Sequence, residues 1–274
     1  MRPIRTFAIL PTMFTLGNLV CGFFAIVIAS RVPTPTESPE GIMQTLASDP
    51  SNCMYSAWLI FLAMVFDALD GYIARLSKSA SEFGAELDSL CDMVSFGVAP
   101  AFLLVKMCPQ FSFWHKEAVW VIAASYAVCA SLRLARFNVE TNDEDDHMSF
   151  RGLPSPAGAA SIAGFAIMFS TLRVKDNPLA RQLDLGLQSS LPFFALLVAM
   201  LMVSRIPYPH VVNQVFRGRR TLRHLVGVIF SIVAIMVFRD YSVSIVCATF
   251  VLYGPLRYGW EKLVQRRHQE ESIF

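Results

Sequence analysis

The sequence predicts an all-α, polytopic membrane protein. Of its 274 residues, 54% are hydrophobic and only 16% are charged, whereas a soluble domain has about 25% charged residues. The apolar residues fall in blocks close to the length of about 20 residues that spans a bilayer as a helix. Together these features predict a membrane helical bundle. The net charge of +2 gives no reason to expect a nucleic-acid partner.

Eight apolar blocks are candidate transmembrane helices. The first follows Arg2 and Arg5, as a signal peptide would, but it is too long for a signal sequence and no cleavage pattern follows it. We therefore expect it to be retained. Gly97 and Pro100 predict that the third span is locally unwound. The expected spans are residues 10–30, 54–76, 84–105, 118–137, 156–172, 187–205, 224–238 and 241–258.

We expect these spans to form a single domain over residues 1–274. Its catalytic core would occupy about residues 10–205. The last two spans are short and separated by a tight connection, so they predict a C-terminal helical hairpin at about 224–258. The expected architecture is therefore a six-helix core with a terminal hairpin.

The basic residues predict how the bundle is oriented. If the N-terminus is cytoplasmic, the inner segments hold more than twice as many of the 23 lysines and arginines as the outer segments. Cytoplasmic segments of membrane proteins have this excess. We therefore expect both termini in the cytoplasm and a multi-pass protein of the cell (cytoplasmic, or inner) membrane. The connection between the second and third spans would also face the cytoplasm.

Four aspartates, Asp67, Asp70, Asp88 and Asp92, lie in this apolar sequence. An ionised carboxylate at membrane depth costs roughly 2.5–3.5 kcal/mol, so four of them need a strong counter-charge. The first two are three residues apart and the last two are four apart, so each pair shares one helix face. In an antiparallel hairpin that turns near residue 79, Asp67 is level with Asp92 and Asp70 is level with Asp88. The spacing predicts one site, roughly 10–18 Å from the turn.

The ligand types at this site favour a hard divalent cation. Carboxylate oxygens without soft ligands select Mg²⁺ or Mn²⁺, and the scattered histidines and cysteines indicate no zinc site. Two such ions about 3.5–4 Å apart would suit a pyrophosphate. Arg75 could hold a phosphate at the mouth. The alternative, a buried ion-pair network without metal, is disfavoured because four acids beside one arginine leave too much unpaired charge.

The motif around the aspartates resembles the signature of the CDP-alcohol phosphatidyltransferases. It matches at every gap, with the residues Asp67, Asp70, Gly71, Ala74, Arg75, Gly84, Asp88 and Asp92. That family transfers a phosphatidyl group from a CDP-activated lipid to an alcohol and releases CMP. The resemblance implies that the four aspartates bind two metal ions, with Asp92 also serving as general base. It further implies that the small residues, Arg75 and Asp67 line the CDP site, and that the protein forms homodimers.

Three further stretches, residues 87–101, 133–138 and 152–157, resemble the branch of the family that uses serine. With the N-terminal pattern Leu16-Gly17-Asn18-Leu19, the resemblance covers roughly residues 10–170. This implies CDP-diacylglycerol and L-serine as substrates, in contact with membrane lipids. Arg133 and Arg136 share a helix face and could bind the serine carboxylate and a phosphate. The alternative for this pair is an anchor at the lipid headgroups. The candidate acceptor-binding residues are Ser95, Arg133, Arg136 and Asn138.

Other functions remain open at this point. The same chemistry could use glycerol 3-phosphate, an inositol phosphate or choline as the acceptor. A phosphorylated acceptor would need more basic residues, and choline would need an aromatic cage. A cation transporter could use the aspartates as an ion path, but transporters commonly contain duplicated halves and the motif occurs once. A non-catalytic scaffold would have no need of all eight motif positions.

Overall fold

The computed structural model describes eight parts of the chain, and its regular structure there is helical, without strands. They are residues 9–33, 51–77, 81–108, 116–140, 152–174, 178–206, 208 and 239–271. The helices are α1 (Ile9–Ser30), α2 (Ser51–Ser77), α3 (Glu82–Asp92), α4 (Ala99–Met107), α5 (Lys116–Glu140), α6 (Ser155–Val174), α7 (Pro178–Val203) and α8 (Arg239–Glu271). A π-helical turn, Met93–Val98, joins α3 to α4.

Within the part of the chain that the structure describes, six stretches are long and apolar enough to cross a membrane, which confirms a multi-pass helical protein. They are Pro11–Ser30, Ser51–Ala74, Phe83–Met107, Glu117–Val139, Ser155–Val174 and Pro178–Val203. The expected seventh span, 224–238, lies outside the described residues. The expected eighth lies within α8, which is not one of the six. The total number of spans and the orientation of the termini therefore stay predictions.

Helices α1 and α2 pack along each other through small side chains. Ala25 and Ala29 on α1 and Ala57 and Ala63 on α2 are fully buried, which lets the two backbones approach closely. The Ser56 hydroxyl donates a hydrogen bond of 2.9 Å to the Ala25 carbonyl across this contact. The N-terminal helix is thereby held against the helix that contains the first two aspartates.

The third span is irregular directly after Asp92, where the π-helical turn begins. Pro100 has no backbone N–H, so the Phe96 carbonyl four residues earlier loses its α-helical donor. The buried Tyr126 hydroxyl on α5 donates to this carbonyl at 3.3 Å instead. The third span is therefore irregular where local unwinding was predicted, and a neighbouring helix satisfies the polar group that the irregularity exposes.

Helix α8 uses a similar arrangement where it docks against the core. Tyr208 donates a hydrogen bond of 3.0 Å to the Val251 carbonyl, which lies four residues before Pro255. Gly254 leaves room for the tyrosine ring, because a Cβ there would lie 2.4 Å from Tyr208 Cζ. Ser244 on α8 also donates to the carbonyl of Gly164 on α6, at 2.6 Å.

A buried ion pair joins α6 and α7. Arg173 Nε lies 3.3 Å from Asp184 Oδ2, and Gln188 Nε2 donates to the same oxygen at 2.7 Å. Arg173 also donates to the Met107 carbonyl at the end of α4, at 3.4 Å. Since Met107 is roughly 20 Å along its span from Asp92, this pair lies at the opposite end of the bundle from the aspartates.

Candidate active site

The aspartates lie on α2 and α3, which follow one another along the chain. Ser81 caps the N-terminus of α3: its backbone is extended and its hydroxyl oxygen accepts a hydrogen bond of 3.0 Å from the Gly84 N–H. A cap of this kind satisfies one of the free N–H groups at a helix start. It also determines where α3 begins, and so the faces on which Asp88 and Asp92 lie.

The structure brings all four aspartates together. Asp67, Asp88 and Asp92 each offer a carboxylate oxygen, and these atoms lie within 4.8 Å of one another. The carboxyl groups of Asp70 and Asp88 lie within hydrogen-bonding reach of each other. Asp70 and Asp92 are buried, with 7% and 8% of their surfaces exposed. The two pairs of aspartates therefore meet in one site, as their spacing along the helices predicts.

Two residues of α1, to which the sequence analysis assigned no role, bind the cluster. The Thr15 hydroxyl donates a hydrogen bond to Asp70 Oδ2, and Asn18 Nδ2 donates one of 2.8 Å to Asp92 Oδ1. Both side chains are buried. Their sequence signal was weak but present, because Thr15, Asn18 and Gly22 form a stripe of polar or small residues on one face of an apolar helix.

Arg133 is the predicted acceptor residue whose charge acts on the cluster. Its guanidinium interacts electrostatically with Asp67 and Asp92. Its Nη1 donates a hydrogen bond of 3.0 Å to the hydroxyl of Ser155, the first residue of α6. Ser155 was not predicted. One guanidinium beside four carboxylates leaves a surplus of negative charge.

The other three predicted acceptor residues have different partners. Ser95 is fully buried and donates to the Asn18 carbonyl at 2.9 Å. Arg136 donates to the Val203 carbonyl at the end of α7, at 3.1 Å. Asn138 forms a hydrogen bond of 2.9 Å with the Ser89 hydroxyl on α3. The two arginines therefore share a helix face but are directed to different neighbours.

The predicted CDP-binding positions lie near the aspartates along α2 and α3. Gly71 and Ala74 follow Asp70 on α2, and Gly84 lies in the first turn of α3. All three are partly exposed. Arg75 lies on α2, but its side chain is outside the described part of the structure.

The site fits a bound divalent cation. The three clustered carboxylates could hold a metal ion, and they offer only the hard oxygen atoms that Mg²⁺ and Mn²⁺ prefer. One buried oxygen of these carboxylates, Asp88 Oδ1, has no hydrogen-bond partner in the described structure. Buried acceptors without a donor are costly, and a cation would offset that cost together with the surplus negative charge.

The fold and this site define a multi-pass helical membrane protein with an acidic centre. The family model for CDP-alcohol phosphatidyltransferase matches residues 8–204. The chain therefore belongs to the CDP-alcohol phosphatidyltransferase family, and it is an enzyme of that family. The match includes helices α1 to α7 and ends before α8.

Three relatives of known name are similar to this chain in sequence. The CDP-diacylglycerol–serine O-phosphatidyltransferase of Methanocaldococcus jannaschii is 34% identical over 200 residues, which cover 73% of this chain and 82% of the relative. The Helicobacter pylori (strain J99) protein of the same name is 29% identical over 256 residues, 93% of each chain. The archaetidylserine synthase of Methanothermobacter thermautotrophicus is 30% identical over 214 residues, covering 77% of this chain and 73% of the relative.

Proposed function

We propose that this protein is a CDP-diacylglycerol–serine O-phosphatidyltransferase, which converts CDP-diacylglycerol and L-serine to phosphatidylserine and CMP. The observation that carries the proposal is the cluster of four aspartates with Arg133 beside it. It offers a site for cations that bind a pyrophosphate and a positive group for a carboxylate. The names of the three relatives specify serine, which supports this acceptor.

The four aspartates would hold two Mg²⁺ or Mn²⁺ ions. Such ions, when bound, offset the negative charge that develops on the pyrophosphate during transfer. Gly71, Ala74 and Gly84 would leave room for the CDP group beside Asp67, and Arg75 would bind one of its phosphates. These roles agree with the partial exposure of the three small residues.

Asp92 would act as the general base. Its carboxylate takes the proton from the serine hydroxyl, and the serine oxygen forms a bond to the β-phosphorus of CDP-diacylglycerol. The bond from that phosphorus to the oxygen bridging it to CMP breaks, and CMP leaves with that oxygen. We infer direct attack, because the nearby hydroxyls of Ser89 and Ser95 are engaged in hydrogen bonds with Asn138 and with the Asn18 carbonyl.

Arg133 is the best-supported residue for binding the serine carboxylate. It lies beside the proposed base, and its contact with Ser155 restricts the direction of its guanidinium. A planar guanidinium can bind a carboxylate through two parallel hydrogen bonds. Ser95, Arg136 and Asn138 would shape the pocket wall, since their contacts link the surrounding helices.

The site would open toward the cytoplasm, so that the water-soluble serine could enter from there and CMP could leave. This orientation rests on the excess of basic residues in the segments on that side. The protein would lie in the cytoplasmic membrane as a homodimer, in contact with the bilayer lipids from which CDP-diacylglycerol enters.

The test is CMP release by the purified protein in detergent, with CDP-diacylglycerol and Mn²⁺ or Mg²⁺. L-serine, glycerol 3-phosphate, an inositol phosphate and choline are supplied in parallel, and Asp92→Asn serves as the control. We expect release that requires serine and a divalent cation and is lost in the variant. Release with a different alcohol would overturn the acceptor. Folded protein that is inactive with every alcohol would contradict the proposed reaction.

A further inference from the structure

Helix α1 lies outside the aspartate motif, yet it binds two of the four motif aspartates directly. Thr15 donates to Asp70, and Asn18 donates to Asp92. We propose that Asn18 is a positioning residue, which sets the orientation of the Asp92 carboxylate for catalysis. This inference rests on the proposed function, in which Asp92 is the base.

The hydrogen bond between Asn18 and Asp92 is shielded from water. Asn18 is fully buried and Asp92 is 8% exposed, and the bond length is 2.8 Å. Hydrogen bonds to a carboxylate are strong and directional, and they strengthen further where water is excluded. This bond engages Oδ1 of Asp92 and leaves Oδ2 to receive the proton from serine.

Asn18 is in turn tied to the helix that contains Asp92. Ser95, three residues after Asp92, donates a hydrogen bond of 2.9 Å to the Asn18 carbonyl. Gly22 permits this contact, because a Cβ there would lie 2.2 Å from Ser95 Oγ. The side chain and the backbone of Asn18 therefore both bind the third span. These two contacts fix the position of Asp92 relative to α1.

An amide at this position is not explained by packing. Asn18 Oδ1 is buried and has no hydrogen-bond donor in the described structure, which costs free energy relative to an apolar side chain. A core residue of similar size, such as leucine, would avoid that cost. What the amide provides, and leucine would not, is the N–H group held against Asp92.

The test variant is Asn18→Leu, assayed for CMP release as a function of serine and CDP-diacylglycerol concentration. We expect kcat to fall between about tenfold and a hundredfold, the loss typical of a misoriented catalytic group. Both KM values should change by less than about threefold. CMP binding in the presence of Mn²⁺, measured by calorimetry, should be unchanged, because the metal and nucleotide ligands are intact.

Gln188→Leu is the matched control. Gln188 is also a fully buried amide that donates to a carboxylate, Asp184, but at the other end of the bundle. It should lose thermal stability and keep kcat. An Asn18→Leu protein that keeps wild-type kcat, or that loses it only in proportion to a lower melting temperature as the control does, would overturn the positioning role. A wild-type protein without serine-dependent CMP release would instead overturn the proposed function itself.

A double-mutant cycle tests whether the hydrogen bond from Ser95 to the Asn18 carbonyl acts through Asn18. Ser95→Ala removes the hydrogen bond to the Asn18 carbonyl, so kcat should fall several-fold. In the Asn18→Leu background the same change should have a smaller effect, since the two residues act on Asp92 through one contact. Fully additive losses would show that Ser95 does not act through Asn18.

Discussion

Buried carboxylates occur at both ends of the helical bundle, and the two groups are balanced differently. At one end, Asp184 is paired with Arg173 and bound by Gln188. At the other end, four aspartates share Arg133 and the hydrogen bonds from Thr15 and Asn18. The first group contains its own counter-charge, whereas the second leaves negative charge for a ligand to neutralise.

Unpaired polar atoms do not distinguish the two groups. Asp184 Oδ1 lacks a hydrogen-bond partner in the described structure, and so does Asp88 Oδ1. The net charge does distinguish them. Removing one partner of a buried ion pair leaves an uncompensated charge and lowers stability. Removing one of several crowded carboxylates relieves electrostatic repulsion, so we expect it to lower activity and not stability.

The largest effect is expected for Asp92→Asn. Loss of a general base lowers the rate by about 10²–10⁴-fold, so serine-dependent CMP release should fall by at least about a hundredfold. The melting temperature in detergent should stay the same or rise, since the amide has nearly the same shape and no charge. Asp184→Asn should show the reverse pattern, with a lower melting temperature and a wild-type kcat. Equal loss of activity in both variants would remove the distinction between the two ends.

The second effect is on stability at the ion-pair end. Arg173→Met should destabilise the protein by about 3–5 kcal/mol, because it leaves the Asp184 carboxylate buried without its cation. Denaturant unfolding of the folded protein in mixed micelles would measure this. The double variant Arg173→Met/Asp184→Leu removes both charges and should regain most of the loss. If the double variant is no more stable than Arg173→Met, the pair is not the source of the destabilisation.

The third effect concerns metal binding. A cation that binds the folded protein raises its stability by about 2.7 kcal/mol at a concentration 100 times its Kd. We therefore expect Mn²⁺ to raise the melting temperature of the wild type and of Asp184→Asn. Asp88→Asn should show little or no increase. An equal increase in all three proteins would place the stabilising ion away from the aspartate cluster.

Much of this acidic site could be predicted from the sequence, because helical periodicity relates spacing directly to geometry. The intervals between Asp67, Asp70, Asp88 and Asp92, with a turn at their midpoint, were sufficient to place all four together. The six long spans also followed from apolar block length. These features depend on local structure or on one short hairpin.

Contacts between distant helices could not be predicted in the same way. Asn18 and Asp92 are 74 residues apart, and their contact depends on how α1 packs against the third span. Arg133 and Arg136 share a helix face, as predicted, but their long side chains reach Ser155 and the Val203 carbonyl. A single sequence shows which face of its helix a residue occupies. The residue that it contacts depends on how the helices pack together.

The smallest effects are expected at two tyrosines, each of which donates to the carbonyl four residues before a proline. Because the two hydrogen bonds are of the same kind, a difference between their variants would come from where each bond lies. Tyr126 donates to the Phe96 carbonyl beside the aspartates, and Tyr208 donates to the Val251 carbonyl in α8. Removing either hydroxyl with Tyr→Phe should cost about 1 kcal/mol of stability, as expected for one hydrogen bond. Melting temperatures measured together would test whether the two losses match.

Only Tyr126→Phe should also affect catalysis. Its carbonyl partner lies in the π-helical turn that follows Asp92 directly, so a relaxed turn would shift the base and lower kcat several-fold. Tyr208→Phe changes a contact outside the family-matched region and should keep the wild-type kcat. If both variants lose equal activity, the turn has no special connection to the base, and the effect of Tyr126 is one of stability alone.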